Sequence, residues 1–111
     1  NNKICSDFYR TRWIKADSST YKPKEKFDLV FSCPPYYRVE KYIDYDGLPP
    51  EGEINHLGSY EEFRDTLFEG YKKAIAAMND NTFFVVMTGD SRGKDGAYYG
   101  CEAEHELFFK E

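Results

Sequence analysis

Residues 27–37 read Phe-Asp-Leu-Val-Phe-Ser-Cys-Pro-Pro-Tyr-Tyr, an apolar run stopped by two consecutive prolines and followed by two aromatic rings. Proline lacks an amide hydrogen and has a fixed φ, so the run can pair as a buried strand only up to the residues just before Pro34. Beyond that point the Cys33 and Pro34 carbonyls have no ordinary sheet partner. Unpaired carbonyls beside a tyrosine face form a pocket suited to a planar amine.

Two further apolar runs define what surrounds that lip. Residues 83–87, Phe-Phe-Val-Val-Met, are apolar at every position, as residues 27–31 nearly are, and runs of this length suit parallel strands covered by helices on both sides. Between them, Ser59 can cap a helix and Glu62 can reach back to it, with Phe63, Leu67, Tyr71, Ala74, Ile75 and Met78 following at helical spacing. Strand, crossover helix and strand make a βαβ unit, which places both strands parallel. A third, shorter strand is expected over residues 12–16, stopping at the turn formers Asp17, Ser18, Ser19 and Thr20. Parallel strands share their carboxyl ends, so Asp17, the segment from Ser32 to Tyr37 and the segment from Thr88 to Arg92 are expected on one sheet edge, where ligands of open α/β folds bind. The connection from Arg38 to Gly58 is long, irregular and rich in Tyr, Gly and Pro, which suits a substrate-facing loop. The lysine-rich turn over residues 22–26 reads as solvated surface.

A chain of 111 residues can bury a modest core and amounts to one domain or part of one. Its ten tyrosines and nine phenylalanines argue for a packed interior over a disordered tail. Twenty acidic against fifteen basic residues leave a net charge of −5, poor footing for holding a nucleic-acid backbone unaided. Cys5, Cys33 and Cys101 show no paired spacing, so neither a zinc site nor a disulfide framework is expected, and free thiols point to a reducing, cytoplasmic setting. No stretch reaches membrane-spanning length and no charged-then-apolar leader is present.

Ser32-Cys33-Pro34-Pro35-Tyr36 resembles the (Asp/Asn/Ser)-Pro-Pro-(Tyr/Phe/Trp) signature of the amino-methyltransferases that act on exocyclic nitrogens of adenine or cytosine in DNA. With residues 85–92, Val-Val-Met-Thr-Gly-Asp-Ser-Arg, it is similar to phage-type DNA modification methylases over roughly residues 13–99. Cysteine stands where the signature has a carboxylate, amide or hydroxyl, with a hydroxyl one residue earlier at Ser32.

The resemblance implies a partial Rossmann-like α/β fold, S-adenosylmethionine as cofactor and DNA as partner. It implies that the Pro34 carbonyl accepts one amine hydrogen and that Ser32 or Cys33 accepts the other, with Pro35 as the second proline of the catalytic motif. Tyr36 would stack on a flipped base, with Tyr37 extending the platform. Asp17 and Ser18, with Ser32, would contact the cofactor, while Asp90 and Arg92 would line the target pocket or grip a phosphate. The glycine-rich cofactor turn of such enzymes has no counterpart in these residues, so the chain is expected to be the central and later part of a catalytic domain.

Other readings stand beside this one. Asp17 reads equally as a turn aspartate, and Asp90 as a cap for the next segment. His56 and His105 lack a partner pattern and read as surface or core, and Glu102, Glu104 and Glu106 as the solvated face of a terminal helix. No metal site is expected, because Asp28 lies inside its strand and would not converge with Asp17 and Asp90 in a nuclease-like cluster. Covalent catalysis by Cys33 is disfavoured, since in carbon-5 methylation the proline precedes the cysteine. A catalytically inactive remnant, or methylation of RNA or protein nitrogens, remains open.

Overall fold

The computed structural model describes residues 12–39, 47, 53–54 and 57–111. Its order is strand β1 (Phe27–Ser32), helix α1 (Tyr60–Ala76), strand β2 (Met78–Val86) and helix α2 (Cys101–Lys110). The two strands pair in parallel, with Leu29 opposite Phe83, Val30 opposite Phe84, Phe31 opposite Val85 and Ser32 opposite Val86. The βαβ unit expected from the apolar runs is therefore present, as a small α/β arrangement with one two-stranded sheet.

Helix α1 starts where its chemistry dictates. Ser59 is extended, its Oγ accepts from the Glu62 amide at 3.1 Å, and the Glu62 carboxylate accepts from the Ser59 amide at 3.2 Å. Such a box satisfies two orphan donors and contributes about 1 kcal/mol. At the other end Lys26 Nζ donates to the Ala76 carbonyl at 2.6 Å, tying off an acceptor the helix leaves open. The helix stops at Ala76, so Met78, read as its last apolar position, belongs to β2, and Ile75 is 43% exposed.

The two strands fall out of step near their amino ends. Phe27 faces Met78, yet Leu29 faces Phe83, so β2 loops out between those pairs. Asn81 takes a left-handed φ of 59°, which asparagine tolerates better than most residues, and Thr82 Oγ1 donates to the Asn79 carbonyl at 2.7 Å. Regular pairing runs from Phe83 onward, as the sequence suggests.

One side of the sheet carries the core. Phe63, Leu67 and Tyr71 of α1 pack with Tyr37, Tyr60 and Cys101, and Phe84, Val86, Phe68 and Phe108 close around them. Aromatic rings dominate: Tyr71 lies edge-on to Phe84 at 5.3 Å, and Phe68 stacks on Phe108 at 4.4 Å. Both helices lie on this side.

Among the described residues, helices cover only one side of the sheet. Leu29, Phe31, Phe83, Val85 and Met87 point away from α1 and α2, with exposures from 38% to 74%. Nor do residues 12–16 form a strand; Trp13 and Ile14 are 74% and 56% exposed and have no strand partner among the described residues. Most of the connection from Arg38 to Gly58, with Cys5 and His56, lies outside the described residues. Among the described residues no helix is long and apolar enough to cross a membrane.

Candidate functional site at the strand ends

The ladder closes at the point the prolines require. The Ser32 carbonyl accepts from the Met87 amide at 2.9 Å, and this is the last sheet bond. Cys33 is exposed, Pro34 buried, and Pro35 and Tyr36 half-buried. Among the described residues no hydrogen bond ends on the Cys33 or Pro34 carbonyl. Beside them the Tyr36 ring lies over Gly89, its Cζ 3.5 Å from where a Cβ on that glycine would sit. Two carbonyls that no hydrogen bond reaches among the described residues and one half-buried aromatic ring thus follow the end of β1.

Of the three segments expected to converge, two meet. Ser91 Oγ donates to the Tyr37 carbonyl at 3.0 Å, binding the loop after β2 to the loop after β1. The turn around Asp17 is elsewhere. Asp17 Oδ1 accepts from the Ser19 amide at 2.8 Å and from Ser19 Oγ at 2.7 Å, and those bonds hold its carboxyl below the ordinary value. Ser18 lies against Gly70 on the flank of α1. Ser32 neighbours Tyr71, the residue after Gly70 on α1; among the described residues no hydrogen bond links Asp17 to the loops after β1 and β2, and residues 12–16 form no strand that would deliver it to the edge.

Tyr37 also differs from its expected role. It is 4% exposed, its ring packs against Tyr60, Phe63 and Tyr99 at 5.2–5.6 Å, and its hydroxyl donates to the Leu57 carbonyl. It is a core residue and cannot extend a stacking platform. Asp90 accepts from the Ser91 amide at 2.9 Å and from the Gly100 amide at 2.9 Å, fixing the entry to α2, where Gly100 is left-handed at φ 81°. The bond goes to the N-cap residue itself, and no side chain caps the first turn of α2. Arg92 sits 4.2 Å over the Tyr98 ring and donates to its hydroxyl at 2.9 Å, across the single bridge that pairs Arg92 with Tyr98. Its guanidinium serves that small hairpin.

Behind the edge runs a buried polar chain that the sequence reading left unassembled. His105 is 6% exposed, and its Nδ1 lies 2.7 Å from the Cys101 carbonyl, which can only accept. Nδ1 therefore carries the proton, and Nε2 accepts from the Tyr71 hydroxyl at 3.2 Å. Cys101 Sγ touches Thr88 Oγ1 at 3.7 Å. Glu104, read as part of a solvated face, instead accepts from the Tyr60 hydroxyl at 2.9 Å and from Arg64 at 3.0 Å. The signal was the i, i+4 spacing of Cys101 and His105, which puts both on one helical face toward α1.

Burial raises the Cys101 thiol and the Tyr60 and Tyr71 phenols above their ordinary values, with Glu104 adding to the effect on Tyr60. An acid whose folded value is raised keeps its proton longer in the folded state. Stability is thus complete below 9.0 and 10.0, the ordinary thiol and phenol values, and falls as pH climbs beyond them. Thermal midpoints should hold steady from neutral pH to about 9 and then drop, and Tyr71→Phe should flatten that alkaline drop. An unchanged alkaline slope in Tyr71→Phe would contradict this assignment.

Among the described residues no group of three or more His, Cys, Asp and Glu side chains is placed to hold a metal ion. Asp28 Oδ1 accepts from the Asn79 side-chain Nδ2 at 2.8 Å. Cys33 and Cys101 are both free thiols. No family model matches the chain, and comparison with curated proteins and with solved structures yields no match either.

Proposed function

We propose that this chain supplies the amine-binding part of a Rossmann-like amino-methyltransferase site, with an exocyclic base amine of DNA as target and S-adenosylmethionine as methyl donor. The observation that carries the reading is the pair of carbonyls on Cys33 and Pro34 that no hydrogen bond reaches among the described residues, beside the half-buried Tyr36 ring. A base amine is a weak nucleophile because its lone pair is delocalised into the ring. Acceptors that bind its hydrogens draw the nitrogen toward tetrahedral geometry and restore that lone pair. The Pro34 carbonyl takes one hydrogen; Ser32 Oγ takes the other, since the thiol of Cys33 is a weak acceptor. Tyr36 stacks on the base once it leaves the duplex.

Cysteine at the first motif position favours a second reading, a methyltransferase-like remnant that binds without catalysing. One assay separates them: transfer of a labelled methyl group from S-adenosylmethionine to oligodeoxynucleotides bearing adenine, cytosine or amine-free purine at an unpaired position. Transfer to the amine-bearing bases alone supports the enzyme. Base binding without transfer supports the remnant, and preferential transfer to RNA or protein acceptors run in parallel reassigns the substrate.

A further inference from the structure

A serine hydroxyl both donates and accepts, and which it does toward a ligand depends on where its own hydrogen points. For Ser32 two buried side chains settle the matter. His105 Nδ1 lies 2.7 Å from the Cys101 carbonyl, which has no hydrogen to give, so the ring proton sits on Nδ1 and Nε2 is left as an acceptor. The Tyr71 hydroxyl, 3.2 Å from Nε2, turns its one hydrogen toward the histidine. Toward any further neighbour the phenol oxygen can only accept. That neighbour is Ser32. It is half-buried and pairs with Val86, which packs with Phe84 on the aromatic core, and Tyr71 lies edge-on to Phe84 at 5.3 Å, so β1 carries the serine on the side of the sheet that faces α1. A hydrogen bond with Ser32 opposes the upward pull of burial on the Tyr71 phenol. Only a donor favours a phenolate, so the Ser32 hydrogen points inward at Tyr71 and its lone pairs are left for the rim.

We propose that Tyr71 and His105 are positioning residues that hold the Ser32 hydroxyl as an acceptor, so that the site takes a base bearing an amine and rejects one bearing an oxo group in the same place. The inference rests on the amine-binding reading above and adds to it the direction of one hydroxyl and the class of base that direction selects. The far end of the row is a backbone carbonyl, which cannot reverse its polarity, and each member passes one orientation to the next. The imidazole donates to the carbonyl and accepts from the phenol; the phenol donates to the imidazole and accepts from the serine. An amine at the rim then offers its two hydrogens to Ser32 Oγ and the Pro34 carbonyl. An oxo group there meets acceptors alone, and a buried acceptor facing another acceptor loses its hydrogen bonds to water without replacement.

Fluorescence anisotropy with oligodeoxynucleotides bearing adenine, hypoxanthine or purine at an unpaired position tests the proposal, since hypoxanthine has an oxo group where adenine has the amine and purine has neither. The wild type should favour adenine over hypoxanthine. Tyr71→Phe keeps the ring and removes the acceptor for the Ser32 hydrogen, so it should lower that ratio by about twofold to tenfold, the range of one hydrogen bond, while affinity for purine holds. Ser32→Ala should lower the ratio as much, and Tyr71→Phe added to Ser32→Ala should lower it no further, because Tyr71 acts through Ser32. An unchanged ratio in folded Tyr71→Phe or Ser32→Ala, or additive losses in the double variant, overturns the positioning role and leaves the amine site standing. A wild type that does not favour adenine overturns the amine site itself, and this inference with it. Should Tyr71→Phe not fold, NMR of the His105 ring nitrogens reads the wild type directly: the proton is expected on Nδ1, and a proton on Nε2 alone reverses the row and overturns the proposal.

Discussion

Phe63→Ala should abolish the cooperative unfolding transition. Phe63 is 1% exposed and is the largest fully buried side chain, with its ring against Tyr37 at 5.3 Å and Tyr60 at 6.1 Å. Removing a buried phenylalanine costs about 3–5 kcal/mol, part of it the cavity left behind. A whole domain retains only about 5–15 kcal/mol, and a two-stranded sheet packed on one side belongs at the bottom of that range. The loss is thus comparable to everything the fold has. Urea denaturation followed by circular dichroism measures it. Leu107→Ala is the control: Leu107 is 63% exposed, so the change should stay within about 0.5 kcal/mol. A Phe63→Ala protein with a midpoint near that of Leu107→Ala would mean that the aromatic cluster does not hold the molecule together.

Tyr36→Ala should do the opposite, sparing the fold and removing the proposed base platform. The ring is half-buried over Gly89 and belongs to no core cluster, so thermal midpoints should move little. Stacking of a base on an aromatic ring contributes about 1–3 kcal/mol, so affinity for a single-stranded oligonucleotide should fall between about fivefold and 150-fold, with Tyr36→Phe restoring it. Fluorescence anisotropy with an end-labelled strand reads this directly. Equal binding by wild type and Tyr36→Ala would remove Tyr36 from the site, whatever the methyl-transfer assay reports.

Local chemistry was legible in the sequence where a residue's own backbone demands dictate the outcome. Pro34 and Pro35 end β1 because they cannot donate, and Ser59 and Glu62 begin α1 because each satisfies the other's amide. The parallel pairing followed from the crossover helix. Misreadings arose where the outcome depends on what lies across space. An apolar run such as residues 83–87 says that both faces could be buried, but whether a second layer exists is a tertiary fact that periodicity does not encode. The strand expected over residues 12–16 rested on Trp13 and Ile14, which have the propensity but no paired neighbour among the described residues. Tyr36 and Tyr37 look alike in sequence, and the direction of the turn after Pro35 decides which ring faces the edge and which enters the core. Glu104 reads as surface in a run of glutamates until Tyr60 and Arg64 are brought beside it.

The hydrogen bond from Ser91 to the Tyr37 carbonyl constrains how the rim can move. One partner follows β1 and the other follows β2, and the Tyr37 ring is anchored in the aromatic core. Neither segment can swing outward alone: opening one drags the other or breaks the strap. The lip that carries Pro34 and Tyr36 is accordingly tied to the loop after β2, and on the proposed reading a base would meet an aperture already set by that tie.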